Sequence, residues 1–139
     1  MTQRVSEVMT PDPVCVTPDT TLAGTARRMR DHDIGAVLVV DDGQLLGIVT
    51  DRDLVVRGLA GELDPATSEV GELTTPAVAV LDVNSPSSHA VRVMRQQRIR
   101  RLPVCDETGR PVGIVSLGDL AEHHDPGSAL ADISAAEPN

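Results

Sequence analysis

The chain has no phenylalanine, tyrosine or tryptophan, and no lysine; all twelve basic residues are arginine. Without aromatic rings it cannot stack bases, which removes the usual platform for single-stranded nucleic acid. A net charge of −9 further disfavours non-specific binding to a phosphate backbone. No apolar run approaches the ~18 residues of a membrane span. Residues 1–6 have no apolar core of the kind a secretory signal needs. A soluble, cytoplasmic protein that engages neither nucleic acid nor membrane is the expectation. There are two cysteines, Cys15 and Cys105, each inside an apolar run and at non-equivalent places. In a reducing compartment they read as buried thiols rather than a disulfide. No glycine-rich phosphate loop is present, and no Ser–His–acid or Cys–His arrangement has supporting context. No catalytic residue is assigned. His123-His124-Asp125 has no spaced partner motif and His32 and His89 stand alone, so no metal site is assigned either.

What the chain does have is a repeated phrase. Gly47-Ile48-Val49-Thr50-Asp51-Arg52-Asp53-Leu54 returns 66 residues later as Gly113-Ile114-Val115-Ser116-Leu117-Gly118-Asp119-Leu120. With an offset of 65, Val5, Glu7, Thr10 and Pro11 meet Val70, Glu72, Thr75 and Pro76, and Arg27, Met29, Arg30 and Ile34 meet Arg92, Met94, Arg95 and Ile99. One residue is inserted where Asp41-Asp42-Gly43 faces Asp106-Glu107-Thr108-Gly109. The period exceeds that of most solenoids, so two halves packed together are expected rather than an array. The boundaries read as repeat 1 at 5–62, a linker at 63–69, repeat 2 at 70–124 and a mostly disordered tail at 125–139.

Each repeat reads as strand, helix, strand, strand, helix, an α+β (mixed α/β) plan. Val14-Cys15-Val16 and Val78-Ala79-Val80-Leu81 are the leading strands. Thr20 or Thr21 can cap the first helix, with Leu22, Ala26 and Met29 on one face. Ser85 can cap its copy, with Pro86 at the first helical position and Val91 and Met94 on the stripe. Hairpins follow at 36–49 and 102–115, turning at Asp42-Gly43 and through Gly109. The second helices start near Asp53 and Asp119.

Thr50-x-x-Asp53 and Ser116-x-x-Asp119 each admit two readings. One is a helix capping box, in which the hydroxyl accepts a backbone N–H and the acid bonds back. The other is a ligand notch. Both pairs follow a strand directly and open a helix, where backbone N–H groups and the helix dipole favour an anion. The hydroxyl suits phosphate, and the carboxylate suits paired ribose hydroxyls.

With these motifs the repeat resembles the CBS domain, and the pair resembles a CBS tandem, or Bateman module, over roughly residues 5 to 124. It is similar to small actinobacterial CBS pairs of the hypoxic-response type. The resemblance implies two βαββα repeats packed about a pseudo-two-fold axis, with clefts between them that take AMP, ADP, ATP or S-adenosylmethionine. It implies that Asp53 and Asp119 hold ribose and that Thr50 and Ser116 contact phosphate. Apolar residues around Ile34 to Leu38 and from Ile99 to Pro103 would flank the base, with Thr17 and Pro18 near its edge. Arg100 and Arg101 match positions that carry basic residues against phosphate in related sensor subunits, although a solvated basic face continuing Arg92 and Arg95 explains them equally. Arg52 could reach phosphate or pair with Asp51, whose charge opposes polyphosphate at the first motif. No cofactor is implied beyond the nucleotide ligand.

The resemblance also implies a homodimer, for which the second helices offer Leu54, Val55, Leu59, Leu120 and Ala121. The leading reading is a non-enzymatic sensor passing its state to an unidentified client protein. The alternatives are a ligand-independent stress or protein-interaction module with vestigial clefts, and a small metal-binding or redox protein.

Overall fold

The computed structural model of the chain describes residues 3–76 and 79–124, with the backbone alone for 122–124. The expected tail and the side chains of His123, His124 and Asp125 lie outside the described residues. Two compact units form: residues 14–77, and residues 1–13 together with 78–139.

The first unit (14–77) holds a four-stranded sheet in the order β2-β3-β4-β5. Its strands are β2 (Cys15–Val16), β3 (Ala36–Asp41), β4 (Gln44–Thr50) and β5 (Thr75–Pro76). β2 runs parallel to β3, and the other pairings are antiparallel. Asp42 and Gly43 both have positive φ, 52° and 78°. That is the backbone of a two-residue hairpin turn whose twist matches its strands. Helix α2 (Leu22–His32) starts at Thr21, whose hydroxyl accepts the Gly24 N–H at 3.0 Å. It buries Leu22, Thr25 and Met29, a spacing that keeps them on one face; Ala26 is exposed. It stops at Asp33, which is left-handed at φ 53°. The core gathers Val16, Leu22, Met29, Val37, Val39, Val49, Val70 and Leu73. After β4 the chain enters α3 (Asp51–Asp53) and continues as a π-helix, Leu54–Leu59. The wider turn persists in the Ala60 N–H to Val55 carbonyl bond of 2.9 Å. Arg57 fastens this segment by donating to the Leu73 carbonyl at 3.0 Å.

The second unit repeats the design with a sheet ordered β1-β8-β7-β6. Its strands are β1 (Thr10–Pro11), β6 (Leu81–Asp82), β7 (Arg101–Cys105) and β8 (Pro111–Ser116), and β6 is parallel to β7. The helices are the short α1 (Val5–Val8), α4 (Ser87–Gln97) and α5 (Leu117–His124). The core holds Val5, Val8, Leu81, Ala90, Met94, Leu102, Val104, Val115 and Leu120. Where the first hairpin has a two-residue turn, the inserted residue here opens room for Asp106. Its Oδ1 accepts from the Thr108 N–H (2.9 Å), the Thr108 hydroxyl (2.6 Å) and the Arg110 N–H (3.1 Å). Those bonds, led by the Thr108 hydroxyl, hold the Asp106 carboxyl below its ordinary range.

Three expectations need correction. The leading strand of repeat 2 lies at Leu81–Asp82 rather than 78–81, and Val80 is exposed. Ser85 does not cap α4. Pro86 takes the cap position without a side-chain bond, and the first turn is met from the N-terminal segment instead: the Ser87 N–H donates to the Gln3 carbonyl at 2.8 Å. Leu120, expected on a dimer surface, is buried in the core of its own unit.

The compact units also do not coincide with the sequence repeats. β1, from the start of repeat 1, pairs with β8 of repeat 2, and β5, from the start of repeat 2, pairs with β4 of repeat 1. The helical turns before them travel along, so Val5 and Val8 pack in one core and Val70 and Leu73 in the other. The glycine that opens each repeated phrase is the seat of this exchange. A Cβ on Gly47 would lie 2.2 Å from the Thr75 carbonyl oxygen, and one on Gly113 would lie 2.5 Å from Met9 Sδ and 2.9 Å from the Thr10 oxygen. Gly47→Ala should therefore destabilise the fold by about 1–3 kcal/mol, the range for overpacking a fixed backbone. Gly113→Ala should cost less, because the Met9 side chain can move. Chemical denaturation followed by circular dichroism checks both the size and the order.

Candidate functional site

At the end of β4 the Asp53 N–H donates to Thr50 Oγ1 at 3.2 Å, and the Thr50 N–H donates to Asp53 Oδ2 at 2.9 Å. At the end of β8 the Asp119 N–H donates to Ser116 Oγ at 3.0 Å, and the Ser116 N–H to Asp119 Oδ2 at 2.9 Å. Both capping boxes are closed. In each, the box uses one carboxylate oxygen, Oδ2. The other, Oδ1, accepts no hydrogen bond among the described residues. The half-buried carboxylate thus starts a helix with one atom and keeps a second acceptor unspent.

The two hydroxyls differ. Thr50 also donates its proton to Asp53 Oδ2 at 3.0 Å, so its donor is spent. No described acceptor takes the Ser116 proton, which leaves a donor beside the helix start.

The strand register decides what flanks each notch. Thr50 pairs with Ala36 and Ser116 pairs with Arg101, and directly opposed residues of an antiparallel pair share a face. Arg101 therefore stands on the Ser116 side of its sheet where the first unit has a methyl group. The Asp51 N–H is bonded to the Gly35 carbonyl (2.9 Å) and the Leu117 N–H to the Arg100 carbonyl (2.8 Å), which hold the neighbouring Ile34 and Ile99 segments to their notches. Both isoleucines are half-buried, and Pro103 is buried within β7. Arg52 is exposed and forms no ion pair among the described residues; Asp51 Oδ1 accepts its backbone N–H instead at 2.8 Å. Thr17 and Pro18 are tied elsewhere. The Thr17 hydroxyl donates to Asp19 and sits 3.2 Å from the Thr20 hydroxyl, while the Pro18 carbonyl accepts the Gly71 N–H at 2.9 Å. No described hydrogen bond links either to Thr50 or Asp53.

Two grooves lie on the helical layers. In the second unit one of about 410 Å³ is lined by Val91, Met94, Arg95, Arg98, Ile99, Arg100 and Leu117. Sequence reasoning named Ile99 and Arg100, read Arg95 as part of a solvated basic face and assigned Arg98 no role. The available signal was a stretch of ten residues, 92–101, with five arginines and no acid. In the first unit a groove of about 190 Å³ is lined by apolar residues of α2, the π-helix and the loop after it, including Leu22, Ala26, Val55, Leu59 and Pro65. Val55, Val56 and Leu59 are 56%, 48% and 71% exposed.

Among the described residues no three His, Cys, Asp or Glu side chains gather closely enough to hold a metal ion. Neither cysteine is in a disulfide; Cys105 is buried and Cys15 half-buried. Burial pushes both thiols above their ordinary pKa. No described helix is long and apolar enough to cross a membrane.

The CBS-domain family model matches residues 5–59 and 70–125. Hypoxic response protein 1 of Mycobacterium tuberculosis is 42% identical over 118 residues, covering 84% of this chain and 82% of that protein. A crystal structure of Hypoxic Response Protein I with two coordinated zinc ions superposes with a TM-score of 0.78 at 40% identity, covering 87% of this chain and 98% of that one. A crystal structure of CBSX2 in complex with AMP superposes with a TM-score of 0.73 at 27% identity, covering 87% and 95%.

Replacing Asp53 or Asp119 by alanine should cost about 1 kcal/mol of stability through the lost cap, whereas asparagine keeps a carbonyl acceptor for it and should cost less. Thermal unfolding by circular dichroism separates the two substitutions. At pH 7 both thiols should alkylate more slowly than an unhindered cysteine, because a raised pKa means less thiolate. Timed iodoacetamide labelling with mass spectrometry measures this.

Proposed function

The chain belongs to the CBS-domain family, and we propose that this CBS pair is a non-catalytic regulatory module whose ligand is an adenosine compound of the AMP, ADP and ATP class, with S-adenosylmethionine as the alternative. The observation that carries the reading is the unspent Oδ1 of Asp53 and Asp119 beside a helix N-terminus. An ionised carboxylate oxygen accepts hydrogen bonds only, which suits the vicinal hydroxyls of ribose. The positive end of the helix dipole favours the phosphate that follows, and in the second unit the Ser116 hydroxyl, whose proton no described acceptor takes, adds a donor. AMP in the similar CBSX2 structure supports the same ligand class.

The mechanism is differential affinity. A ligand that binds one conformation of the pair better shifts the population towards it, by no more than the difference in binding energy. The output passes to a client protein. The exposed Val55, Val56 and Leu59 support a homodimer, since apolar side chains clustered on one helical segment are costly to leave in water. Leu120 takes no part in that surface. A second reading, a protein-interaction module whose notches are only caps, is favoured by the closed boxes at both sites. The zinc of the Hypoxic Response Protein I structure has no counterpart cluster among the described residues, and elemental analysis of untagged protein tests for it.

The absence of tryptophan and tyrosine makes the pure protein nearly transparent at 280 nm, so co-purified nucleotide should appear as an absorption band near 260 nm. Titration calorimetry with AMP, ADP, ATP and S-adenosylmethionine should give heat for at least one of them. Asp53→Asn and Asp119→Asn should each weaken one site about tenfold while sparing the helix start, since a lost hydrogen bond to a charged group is worth roughly 1.5 kcal/mol or more. Absence of heat with the whole panel, or full affinity in both variants, refutes the reading in favour of the cap-only module.

A further inference from the structure

We propose that the two units are sorted by ligand charge, and that the Arg95, Arg98 and Arg100 groove of the second unit is the protein's one site for a nucleotide polyphosphate. The inference rests on the adenosine reading for the nucleoside part, and on the groove itself for the phosphates.

The groove joins an apolar floor (Val91, Met94, Ile99 and Leu117) to the exposed side chains of Arg95, Arg98 and Arg100. Its volume of about 410 Å³ lies within the usual range for small-molecule sites. None of the three guanidinium groups donates to a carboxylate or a carbonyl among the described residues, although the chain has 21 acids against 12 arginines. Three arginines lining one groove without a carboxylate partner put a local excess of positive charge on an acidic chain, which favours an anion there. The planar fork of arginine matches phosphate oxygens. The groove is joined to the notch: Leu117 follows Ser116, and its N–H is bonded to the Arg100 carbonyl. A ribose at Asp119 could therefore send its phosphates past Ser116, whose proton is unspent, towards the arginines.

The corresponding positions of the first unit carry the opposite character. Arg95, Arg98, Arg100 and Leu117 align with Arg30, Asp33, Gly35 and Asp51. One guanidinium and two carboxylates stand where the second unit has three guanidiniums. The one arginine is already ion-paired, with Arg30 Nε 2.8 Å from Asp31 Oδ1. The Thr50 proton is taken by Asp53, and Ala36 replaces Arg101. A polyphosphate there would meet net negative charge. An uncharged or cationic adenosine compound would not.

Calorimetry on the full chain with ATP, ADP, AMP, adenosine and inorganic tripolyphosphate tests the sorting. The expected result is one polyphosphate per chain, affinity falling from ATP to adenosine, and loss of that preference as salt rises to about 0.3 M, where charge is screened. The triple variant Arg95→Gln, Arg98→Gln, Arg100→Gln should bring the ATP-to-adenosine affinity ratio near unity. Arg98→Gly, which suits the left-handed backbone at φ 56° and so keeps the fold, should lower ATP affinity about three- to tenfold, as expected for one partly exposed charged contact. Equal affinity for ATP and adenosine, two equal ATP sites per chain, or unchanged ATP binding in both variants overturns the proposal. Adenosine heat without any arginine-dependent ATP preference sinks the charge sorting and leaves the adenosine reading standing. Arginine-dependent tripolyphosphate heat without adenosine heat upholds the groove and sinks the adenosine reading. Silence from every probe ends both.

Discussion

The two junctions at which β4 and β8 run directly into a helix each depend on one carboxylate oxygen. Asp53 and Asp119 each turn Oδ2 back to the N–H of a residue three positions earlier, at 2.9 Å, and so fix where the strand stops and the helix begins. The choice of aspartate over the longer glutamate keeps the carboxyl close to the turn. In the proposed reading the cap and the ligand notch, rivals when only sequence is considered, are two uses of two oxygens. A site made this way needs no loop and no added element. Its rigidity comes from a bond the helix requires anyway, which is the condition for a pre-organised binding group.

The second constraint is the exchange of leading segments. Residues 5–11 complete the sheet of one unit and residues 70–76 complete the other. Neither sequence repeat closes its own sheet. The exchanged strands run against Gly47 and Gly113, where a side chain would strike the Thr75 carbonyl or Met9. The glycine of the repeated phrase therefore serves the exchange of strands, and the acid six residues after each glycine closes the cap of the helix that follows.

Much of this was legible in the sequence, for physical reasons that differ by element. The repeat, the Asp42-Gly43 turn, the Thr21 cap and both capping boxes are local patterns, in which a few adjacent residues settle the backbone. The exchange was not legible, because two-residue strands carry no periodicity and their pairing is non-local. Ser85 misled because a serine before a proline has the right chemistry for a cap. The chain instead brings Gln3 and Val5 to that helix end, and no local pattern encodes their arrival. Leu120 reads as a surface residue of a short amphipathic stretch until Val5 and Val8 arrive to bury it. The arginine groove depends on the left-handed residue Arg98, which turns the chain so that residues before and after it line one depression. Of the proposed contacts, Thr17 and Pro18 have the weakest support, since local bonds already occupy them.

The most direct test is a crystal structure of the protein with bound ATP. The account predicts ribose hydroxyls within hydrogen-bonding distance of Asp119 Oδ1, the Ser116 N–H still on Oδ2, and phosphate oxygens among Arg95, Arg98 and Arg100. A nucleotide seated elsewhere, with Asp119 turned wholly to its cap and the arginines facing solvent, would contradict it.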